Sequence, residues 1–456
     1  MINPNIFRAY DIRGFYPQEI NEQVALSVGY ALAVFLQKKY QRTNLTLVVG
    51  RDGRNSSSEL SLAAVKGMLG AGVKVIDVGL VPTPLFYFGV WHYGFDGGIY
   101  VTASHNPSQY NGFKLVQKDS RLIAAKTGID EVRVLSLQSE KKEQDFSSLK
   151  WENYTQKEVM ADYIHFVLQD YDLPSIKPFS LTVDCGNGAM SVLMPSFLSN
   201  IPGSFHTLFC EIDGSFPNHL PDPSQKDNLH QLIQLVQNTK SDLGVAFDGD
   251  GDRVGFVDER GEVISSNLVS AFLVKTLARK DDVIVYNLMM SRIVSDTAQM
   301  VGARALMTRV GFTFVKEQAI AANAILGAET SGHYCLQNNH FCEAPLFVWL
   351  TILEQMCKTG KKASELFAEF QKYQYEGPFS FEVHNKEKIL QRLEQKYSNG
   401  KVSHLDGLRV DFDDWWFNVR PSNTENFLRC VIEAKDRETL QEKKKEIISI
   451  IELNAS

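Results

Sequence analysis

Strand and helix signals alternate through most of this chain, and this alternation restricts the fold more than any other feature. Strand-like aliphatic runs at 45–49 and 73–78 flank a stretch with helical spacing of apolar residues, at about Ser58 to Leu69. Similar strand-like runs occur at 97–101, 181–184, 243–247 and 283–286. Because strand–helix–strand order is typical of α/β proteins, the sequence predicts several α/β units.

Two changes of pattern indicate where the chain is divided. A polar stretch from Gln138 to Lys150 predicts a solvated connection, and a helix at about Gln156 to Gln169 follows it. From about Tyr373 the pattern becomes a smaller α+β segment that ends in a charged helix at about Arg437 to Ile451. The length of 456 residues alone suggests about three domains.

Composition excludes several classes of protein. The formal net charge is -7, and no dense basic run occurs outside Lys443–Lys445, which argues against a nucleic-acid partner. No apolar run approaches the ~18 residues of a membrane span, and no signal peptide is evident at residues 1–4. The six cysteines have no metal-binding spacing, so we expect buried free thiols in a cytoplasmic protein.

A serine at the end of a predicted strand is the first candidate reactive group. The strand 97–101 runs directly into Thr102-Ala103-Ser104-His105-Asn106-Pro107. Asn-Pro is turn chemistry, so Ser104 is expected on a tight loop beside an imidazole. A serine on a rigid turn is a candidate nucleophile or phosphate carrier.

Three aspartates follow another strand at alternating positions. The strand 243–247 leads into Asp248, Asp250 and Asp252, with glycines between them and Arg253 after them. Like charges this close repel each other unless a cation lies between them, and all-oxygen ligands suit Mg²⁺. An EF-hand is excluded because its required sixth-position glycine would fall on Arg253.

Two further loops carry groups that suit a sugar phosphate. Gly327 to His333 contains Glu329 and Ser331, which could hold vicinal hydroxyls of a sugar. Arg420 to Asn426 is a polar turn, and Arg429 follows closely; its backbone N–H groups and arginines could hold a phosphate. Taken alone, each loop is also compatible with an ordinary solvated turn.

Together and in chain order, these loops resemble those of the α-D-phosphohexomutase superfamily, closest to its bacterial phosphomannomutase/phosphoglucomutase group. The resemblance covers essentially the whole chain. It also includes the following segments: 7–14, 50–54 (Gly-Arg-Asp-Gly-Arg), 81–84 (Val-Pro-Thr-Pro), 111–114 (Asn-Gly-Phe-Lys) and 213–219 (Asp-Gly-Ser-Phe-Pro-Asn-His).

The resemblance implies four domains around a central cleft, three related α/β domains with mixed sheets and a smaller C-terminal α+β domain. The expected bounds are 1–150 for the phosphoserine-bearing domain, 151–253 for the metal-loop domain, 254–370 for the sugar-loop domain and 371–456 for the phosphate-binding domain. The implied activity is interconversion of hexose 1-phosphate and hexose 6-phosphate, through a phosphoserine and a hexose 1,6-bisphosphate. The protein would be a cytoplasmic monomer or homodimer.

The resemblance also implies roles for particular residues. Ser104 would carry the phosphoryl group, and one phosphate oxygen would join Asp248, Asp250 and Asp252 in binding Mg²⁺. The expected catalytic residues are Ser104, His105, Lys114, Arg13 and Arg253, with Lys114 and His105 handling protons. The expected substrate-binding residues are Tyr10, Glu329, Ser331, His333, Arg420, Ser422, Asn423, Thr424 and Arg429.

Three positions depart from the group's usual pattern. Phe312 stands where many members have histidine, Leu288 lies where an active-site lysine is common, and Cys342-Glu343 replaces an acidic pair. These changes bear on the choice of sugar more than on the chemistry. Phosphoglucosamine mutase, a sugar-phosphate phosphatase and a weakly active sugar-phosphate-binding protein therefore stay open as alternatives.

Overall fold

The computed structural model describes residues 2–141, 149–421 and 427–453. Its α-helices are α1 (Glu22–Tyr40), α2 (Ser57–Gly70), α3 (Thr83–His92), α4 (Ile129–Lys141), α5 (Met160–Leu168), α6 (Met190–Leu198), α7 (His230–Thr239), α8 (Ser266–Leu277), α9 (Arg292–Met300), α10 (Phe312–Ala321), α11 (Pro345–Thr359), α12 (Ala363–Ala368), α13 (Lys386–Lys396) and α14 (Arg437–Glu452).

The strands are β1 (Ile12–Phe15), β2 (Thr46–Arg51), β3 (Lys74–Leu80), β4 (Gly97–Val101), β5 (Tyr110–Gln117), β6 (Arg121–Leu122), β7 (Tyr154–Gln156), β8 (Phe179–Asp184), β9 (Gly203–Leu208), β10 (Leu243–Phe247), β11 (Val254–Asp258), β12 (Val263–Ile264), β13 (Val283–Asn287), β14 (Arg304–Thr308), β15 (Leu326–Ala328), β16 (Tyr334–Leu336), β17 (Gln374–Glu382), β18 (Lys401–Ser403), β19 (Leu408–Asp411), β20 (Trp415–Pro421) and β21 (Phe427–Ala434).

These elements form two compact units. The first unit combines residues 1–264 with residues 331–364, and the second combines 265–330 with 365–456. Each unit contains sheets covered by helices, and their buried apolar side chains form separate clusters such as the one between α1, α2 and the first sheet.

The first sheet brings three loops of the first unit to one edge. β2 lies parallel to β3 on one side and to β4 on the other, with Val48 opposite both Ile76 and Gly98. Because parallel strands end at the same edge, the loops that follow β2, β3 and β4 start close together. β5 runs antiparallel to β4, and β1 runs antiparallel to β5. The sheet is therefore mixed, as expected.

The second sheet positions the acidic loop. β8 lies between β9 and β10 and is parallel to both, so the segments after β8 and β10 leave the same edge. The chain then turns through residues 248–253 and returns as β11, antiparallel to β10. All five residues of β10 are buried, and the acidic turn is therefore attached to a rigid strand.

The second unit contains three parallel strands and an antiparallel sheet. β13 lies between β14 and β15 and is parallel to both. The last sheet has the strand order β17-β21-β20-β19-β18 and is antiparallel throughout. α14 packs on it through Leu440, Ile447 and Ile451, the stripe predicted from the sequence. The α/β class with a smaller C-terminal α+β domain is confirmed.

Strand pairing continues past two of the predicted domain bounds, which stay predictions. β7, at residues 154–156, pairs with β3, so the first sheet extends past residue 150 and α5 is shorter than predicted. β11 and β12 join the second sheet, so that sheet continues to Ile264 instead of ending at Arg253. The sequence did not predict that β11 returns along β10, because a hairpin return and the first strand of a new domain have the same apolar pattern. The bound at 370 stays a prediction.

The predicted connection at 138–150 is described only in part. Residues 138–141 belong to α4, and residues 142–148 lie outside the described ranges.

Two of the six cysteines differ from the prediction of free thiols. Cys185 and Cys210 form a disulfide between the ends of β8 and β9, which are neighbouring parallel strands. The pairing follows from this register, which places residues 25 apart in sequence side by side. Cys357 and Cys430 are free, and Cys335 and Cys342 are buried cysteines outside this disulfide.

None of the helices in the described ranges is long and apolar enough to cross a bilayer.

Candidate active site

Ser104 lies directly after β4, in a loop with an unusual backbone. Its φ of 52° is in the left-handed region, which is uncommon for a residue other than glycine. Its N–H donates to Thr102 Oγ1 at 2.8 Å, and only 3% of the residue is exposed. Strained backbone of this kind occurs where the surroundings fix it, often at functional sites. The loop therefore presents one serine hydroxyl in one direction.

The Ser104 hydroxyl points to the acidic loop within the first unit. Ser104 Oγ donates to Asp248 Oδ2 at 2.9 Å and lies 3.2 Å from His105 Nδ1. The backbones of the two loops also touch, because a Cβ placed on Gly249 would lie 2.6 Å from the Ser104 carbonyl oxygen. A glycine is therefore required at position 249 for this approach.

The three aspartates converge as the sequence predicted. One oxygen from each of Asp248, Asp250 and Asp252 lies within 4.8 Å of the others, and all three residues are buried. The Asp248 Oδ1 atom closes the turn by accepting the N–H groups of Asp252 and Arg253 at 3.0 and 3.1 Å. Burial and the charges of the other two aspartates raise the pKa of Asp248 well above its usual value.

This donor set fits a hard divalent cation. Asp250 Oδ1 is buried and accepts no hydrogen bond from the described residues, so this carboxylate oxygen has no protein donor. Buried carboxylates are normally neutralised by a cation or by hydrogen bonds. Oxygen-only ligands favour Mg²⁺ or a similar ion over zinc or copper.

Lys114 and His333 both form close contacts with the aspartates. Lys114 Nζ lies 2.6 Å from Asp250 Oδ2 and 2.5 Å from Asp252 Oδ2. Burial alone would lower the pKa of Lys114, but the two carboxylates outweigh it and hold that pKa well above its usual value. His333 Nε2 lies 3.1 Å from Asp252 Oδ1, and its Nδ1 lies 2.8 Å from Ser331 Oγ. Against the effect of burial, Lys114 and His333 keep the pKa of Asp252 well below its usual value.

His105 is held in the neutral form. Burial is the first cause that moves its pKa well below the usual value, and the nearby charges of Arg253 and Arg13 act in the same direction. Arg13 also donates to Asn106 Oδ1 at 2.7 Å and pairs with Asp11 at 2.5 Å. A neutral imidazole beside Ser104 can accept a proton at neutral pH.

The remaining predicted residues of the first unit are described more briefly. Arg253 Nη1 lies 3.4 Å from Asp222 Oδ1, and its Nε lies 3.7 Å from Asp248 Oδ2. Tyr10 is partly buried in the segment before β1. The first unit thus brings Ser104, His105, Lys114, Arg13, Arg253, Ser331, His333 and the three aspartates into one region.

Glu329 is positioned within the second unit. Its Oε1 accepts the N–H of Gly311 at 3.0 Å and the Asn287 amide at 3.3 Å. Asn287 ends β13 and is fully buried, so it fixes the carboxylate from behind. Asn287 was not among the residues predicted for the site. Its position at the carboxyl end of a central parallel strand was the available signal.

Two departures from the family pattern differ in exposure. The Leu288 side chain is fully buried, and its carbonyl accepts a hydrogen bond from Arg409. Leu288 therefore offers no apolar surface of its own to a ligand, and its effect on the choice of sugar stays a prediction. Phe312 is partly exposed at the start of α10, so its side chain can contribute to the choice of sugar.

Arg420 and Arg429 lie opposite each other on β20 and β21. Like charges in such cross-strand positions are destabilising unless an anion lies between them. Arg420 is buried, with Nη1 3.9 Å from Asp406 Oδ2. The predicted phosphate-binding residues Ser422, Asn423 and Thr424 lie outside the described residues. The described part of this hairpin thus has the charge of an anion site.

His219 forms a buried ion pair that makes stability depend on pH. Its Nε2 donates to Asp184 Oδ2 at 3.0 Å and its Nδ1 donates to the Leu220 carbonyl at 2.9 Å. Burial alone would lower the pKa of His219, but the hydrogen bond and charge of Asp184 raise it above its usual value. Both ring nitrogens face acceptors, so the folded protein favours the imidazolium.

We therefore expect His219→Gln to lower the melting temperature at pH 6 more than at higher pH. A raised folded pKa gives stability that is fully present below the unfolded pKa of about 6.5 and is lost as pH rises through the folded pKa. Thermal unfolding of both proteins across this range measures the difference. His230→Gln, at an exposed position on α7, is the control. A wild-type minus His219→Gln difference that does not shrink with pH would contradict the assignment.

Comparison with known proteins identifies the family. Four family profiles match in order: phosphoglucomutase/phosphomannomutase alpha/beta/alpha domain I at residues 4–136, domain II at 161–261, domain III at 265–373 and the C-terminal domain at 380–450. The chain belongs to the phosphoglucomutase/phosphomannomutase family, whose members are mutases, a class of isomerases.

Individual relatives match over nearly their whole length. A phosphomannomutase of Methanocaldococcus jannaschii is 33% identical over 99% of this chain and 98% of that protein. A phosphomannomutase/phosphoglucomutase of Pseudomonas putida is 34% identical over 96% of this chain and 93% of that protein. The crystal structure of a phosphoglucomutase/phosphomannomutase family protein from Burkholderia thailandensis superposes with a TM-score of 0.89, at 29% identity, and covers 100% of this chain and 98% of that one.

Proposed function

We propose that this chain interconverts hexose 1-phosphates and hexose 6-phosphates, with mannose and glucose as the sugars, through a phosphoryl group carried on Ser104. The contact between Ser104 Oγ and Asp248 Oδ2, at 2.9 Å, is the observation that carries this proposal. It puts a hydroxyl on a strained, buried loop against an acidic cluster suited to Mg²⁺. The phosphomannomutase and phosphoglucomutase names of the relatives supply the sugars.

The proposed reaction consists of two phosphoryl transfers, which move two different phosphoryl groups. A hydroxyl oxygen of the hexose phosphate bonds to phosphorus as the bond between phosphorus and Ser104 Oγ breaks, which gives a hexose 1,6-bisphosphate. The other phosphate of that bisphosphate then returns to Ser104 in the same way. Positioning and neutralisation of charge are the main requirements of such transfers.

Charged residues of the first unit would meet these requirements. Asp248, Asp250 and Asp252 would hold Mg²⁺, which supplies positive charge to phosphoryl oxygens when bound. Arg253 and Arg13 would add hydrogen bonds to those oxygens. His105, neutral and beside Ser104, is suited to accept the proton of the attacking hydroxyl, and the Lys114 ammonium to contribute charge or donate a proton.

The remaining groups would hold the sugar and the phosphate that does not react. Glu329 is fixed by Asn287 and Gly311, and it would accept sugar hydroxyls together with Ser331 and His333. Arg420 and Arg429 would hold the non-reacting phosphate with Ser422, Asn423 and Thr424. Reorientation of the bisphosphate would require that this site accept either phosphate in turn. We further propose that the protein acts in the cytoplasm, as a monomer or a homodimer.

A panel of sugar 1-phosphates tests the function. We expect mannose and glucose 1-phosphate to be converted to 6-phosphates in the presence of Mg²⁺ and a trace of glucose 1,6-bisphosphate. The N-acetylglucosamine and glucosamine 1-phosphates should react at least about tenfold more slowly, because a pocket for a C2 hydroxyl discriminates against larger or charged groups there. The 6-phosphate product is measured by a coupled assay.

Two other results would contradict the proposed mutase activity, and a third would change only the proposed sugar. Release of inorganic phosphate without a 6-phosphate product would identify a phosphatase. Tight binding of hexose phosphates without turnover would identify a binding protein. Preference for glucosamine 1-phosphate would keep the chemistry but replace the sugar.

A further inference from the structure

We propose that Arg54 is a positioning residue that fixes the Ser104 loop and does not bind substrate. This inference rests on the proposed function of Ser104. Arg54 comes from the Gly-Arg-Asp-Gly-Arg segment after β2, to which no role has been given above. The loops after β2 and β4 leave the same edge of the first sheet, so Arg54 reaches the Ser104 loop directly.

The Arg54 guanidinium donates to four backbone carbonyls of one loop. Nη2 donates to the carbonyls of Ser104 and Asn106 at 2.7 and 2.6 Å. Nη1 donates to those of Pro107 and Tyr110 at 2.9 and 3.0 Å. All four N–H groups of the terminal nitrogens are therefore used within residues 104–110. A planar guanidinium can hold four acceptors in fixed directions, which a lysine ammonium cannot do.

The charge of Arg54 is balanced inside the protein. Nε lies 3.2 Å from Asp52 Oδ2, and the Asp52 Oδ1 atom accepts the Arg54 N–H and the Ser57 hydroxyl at 3.0 and 2.6 Å. The Arg54 side chain is 0% exposed. A fully buried guanidinium whose four terminal N–H groups all bind carbonyls has none of these four groups left for a phosphate.

A second segment, residues 213–219, also contacts Arg54. The Arg54 guanidinium carbon lies 5.0 Å from the centre of the Phe216 ring, a cation–π contact. Phe216 belongs to the segment 213–219, which also had no role in the site. That segment approaches closely because a Cβ on Gly214 would lie 2.4 Å from the Asn55 backbone nitrogen. Segments 50–54 and 213–219 thus form a layer behind the Ser104 loop.

This layer explains how the strained backbone of Ser104 is maintained. The Ser104 carbonyl is held by Arg54 on one side and packs against Gly249 on the other. Loss of the clamp would release the φ of 52° and move Oγ away from Asp248. Reacting atoms displaced by about 1 Å can cost about 100-fold in rate.

The test compares Arg54→Lys with Arg51→Lys. Arg51 belongs to the same segment but lies 3.8 Å from Asp77 and is partly exposed, so it is a matched control. For Arg54→Lys we expect a fall of about 100-fold in kcat, with KM for hexose 1-phosphate changed by less than about threefold. Arg51→Lys should keep both constants. A large rise in KM at unchanged kcat, or unchanged kinetics, would overturn the proposal.

A second variant and a second measurement cover the case in which Arg54→Lys does not fold. Phe216→Leu leaves the four hydrogen bonds in place and removes the aromatic face, so a smaller loss in kcat of about fivefold is expected, again without a rise in KM. Amide hydrogen exchange of the peptide covering 104–110 should be faster in both variants than in wild type and Arg51→Lys. Unchanged exchange in both would overturn the clamp.

Failure of the proposed function would look different. Wild-type protein would then lack mutase turnover and take no phosphoryl group on Ser104. The hydrogen-exchange comparison needs neither mutase turnover nor phosphorylation of Ser104, so it would still decide whether Arg54 holds the loop.

Discussion

Ser104→Ala should abolish mutase turnover, with a loss of at least about 10⁴-fold in kcat/KM. The substitution removes the oxygen that would carry the phosphoryl group, and no other hydroxyl among the described residues has been found in the same contact with Asp248. Alanine keeps the backbone restriction of the loop, and the fold should be retained. The measurement is conversion of mannose 1-phosphate, together with intact mass after incubation with glucose 1,6-bisphosphate.

Ser108→Ala is the matched control for this experiment. Ser108 lies in the same loop but is exposed, so its loss should leave both turnover and phosphorylation unchanged. Wild-type protein and the control should gain the mass of one phosphoryl group, and Ser104→Ala should gain none. Near wild-type turnover in Ser104→Ala would disprove the phosphoserine route.

Asp250→Asn should lower the apparent affinity for Mg²⁺ by at least about 100-fold. This loss is larger than is usual for residues that only support metal ligands. The change removes one of three converging carboxylates and keeps the size of the side chain. The Asp250 Oδ2 contacts to Thr83 and Lys114 can be replaced by the amide oxygen. Activity is titrated with Mg²⁺ after treatment with a chelator, and melting temperature is followed in parallel.

Melting temperature separates loss of metal binding from loss of activity. A ligand that binds only the folded state stabilises it, so Mg²⁺ should raise the melting temperature of wild type and not that of Asp250→Asn. Asp227→Asn, at an exposed position before α7, should behave as wild type. An equal Mg²⁺ response in Asp250→Asn and wild type would rule out the acidic cluster as the metal site.

The sequence predicted the functional side chains of the site better than the residues that hold those side chains in position. Ser104 and the three aspartates were predictable because each follows a clear apolar strand, and parallel strands end at one edge of a sheet. Arg54 could not be assigned in this way. An arginine beside a phosphate-handling loop has the same sequence pattern whether it binds an anion or backbone carbonyls. Only the directions of its four N–H groups distinguish the two.

Strand pairing was the main part of the fold that the sequence did not determine. β11 could equally begin a new domain or return along β10, because both would be short apolar strands. The Cys185–Cys210 disulfide was missed for the same reason, since it depends on the register of β8 and β9. The burial of Leu288 was not predictable either, since the hydrogen bond to its carbonyl comes from Arg409, more than a hundred positions away.

The hydrogen bond from Ser104 Oγ to Asp248 Oδ2 links the proposed phosphorylation of Ser104 to cation binding. A serine that carries a phosphoryl group has no hydroxyl proton to donate, and it brings a charge of about -1.5 to -2 against three buried carboxylates. That repulsion is absent from the newly folded chain. If Ser104 is phosphorylated as proposed, phosphorylation and cation binding would be thermodynamically coupled, and each would strengthen the other by the same factor. A newly folded, unphosphorylated chain would then bind the cation more weakly than a phosphorylated one.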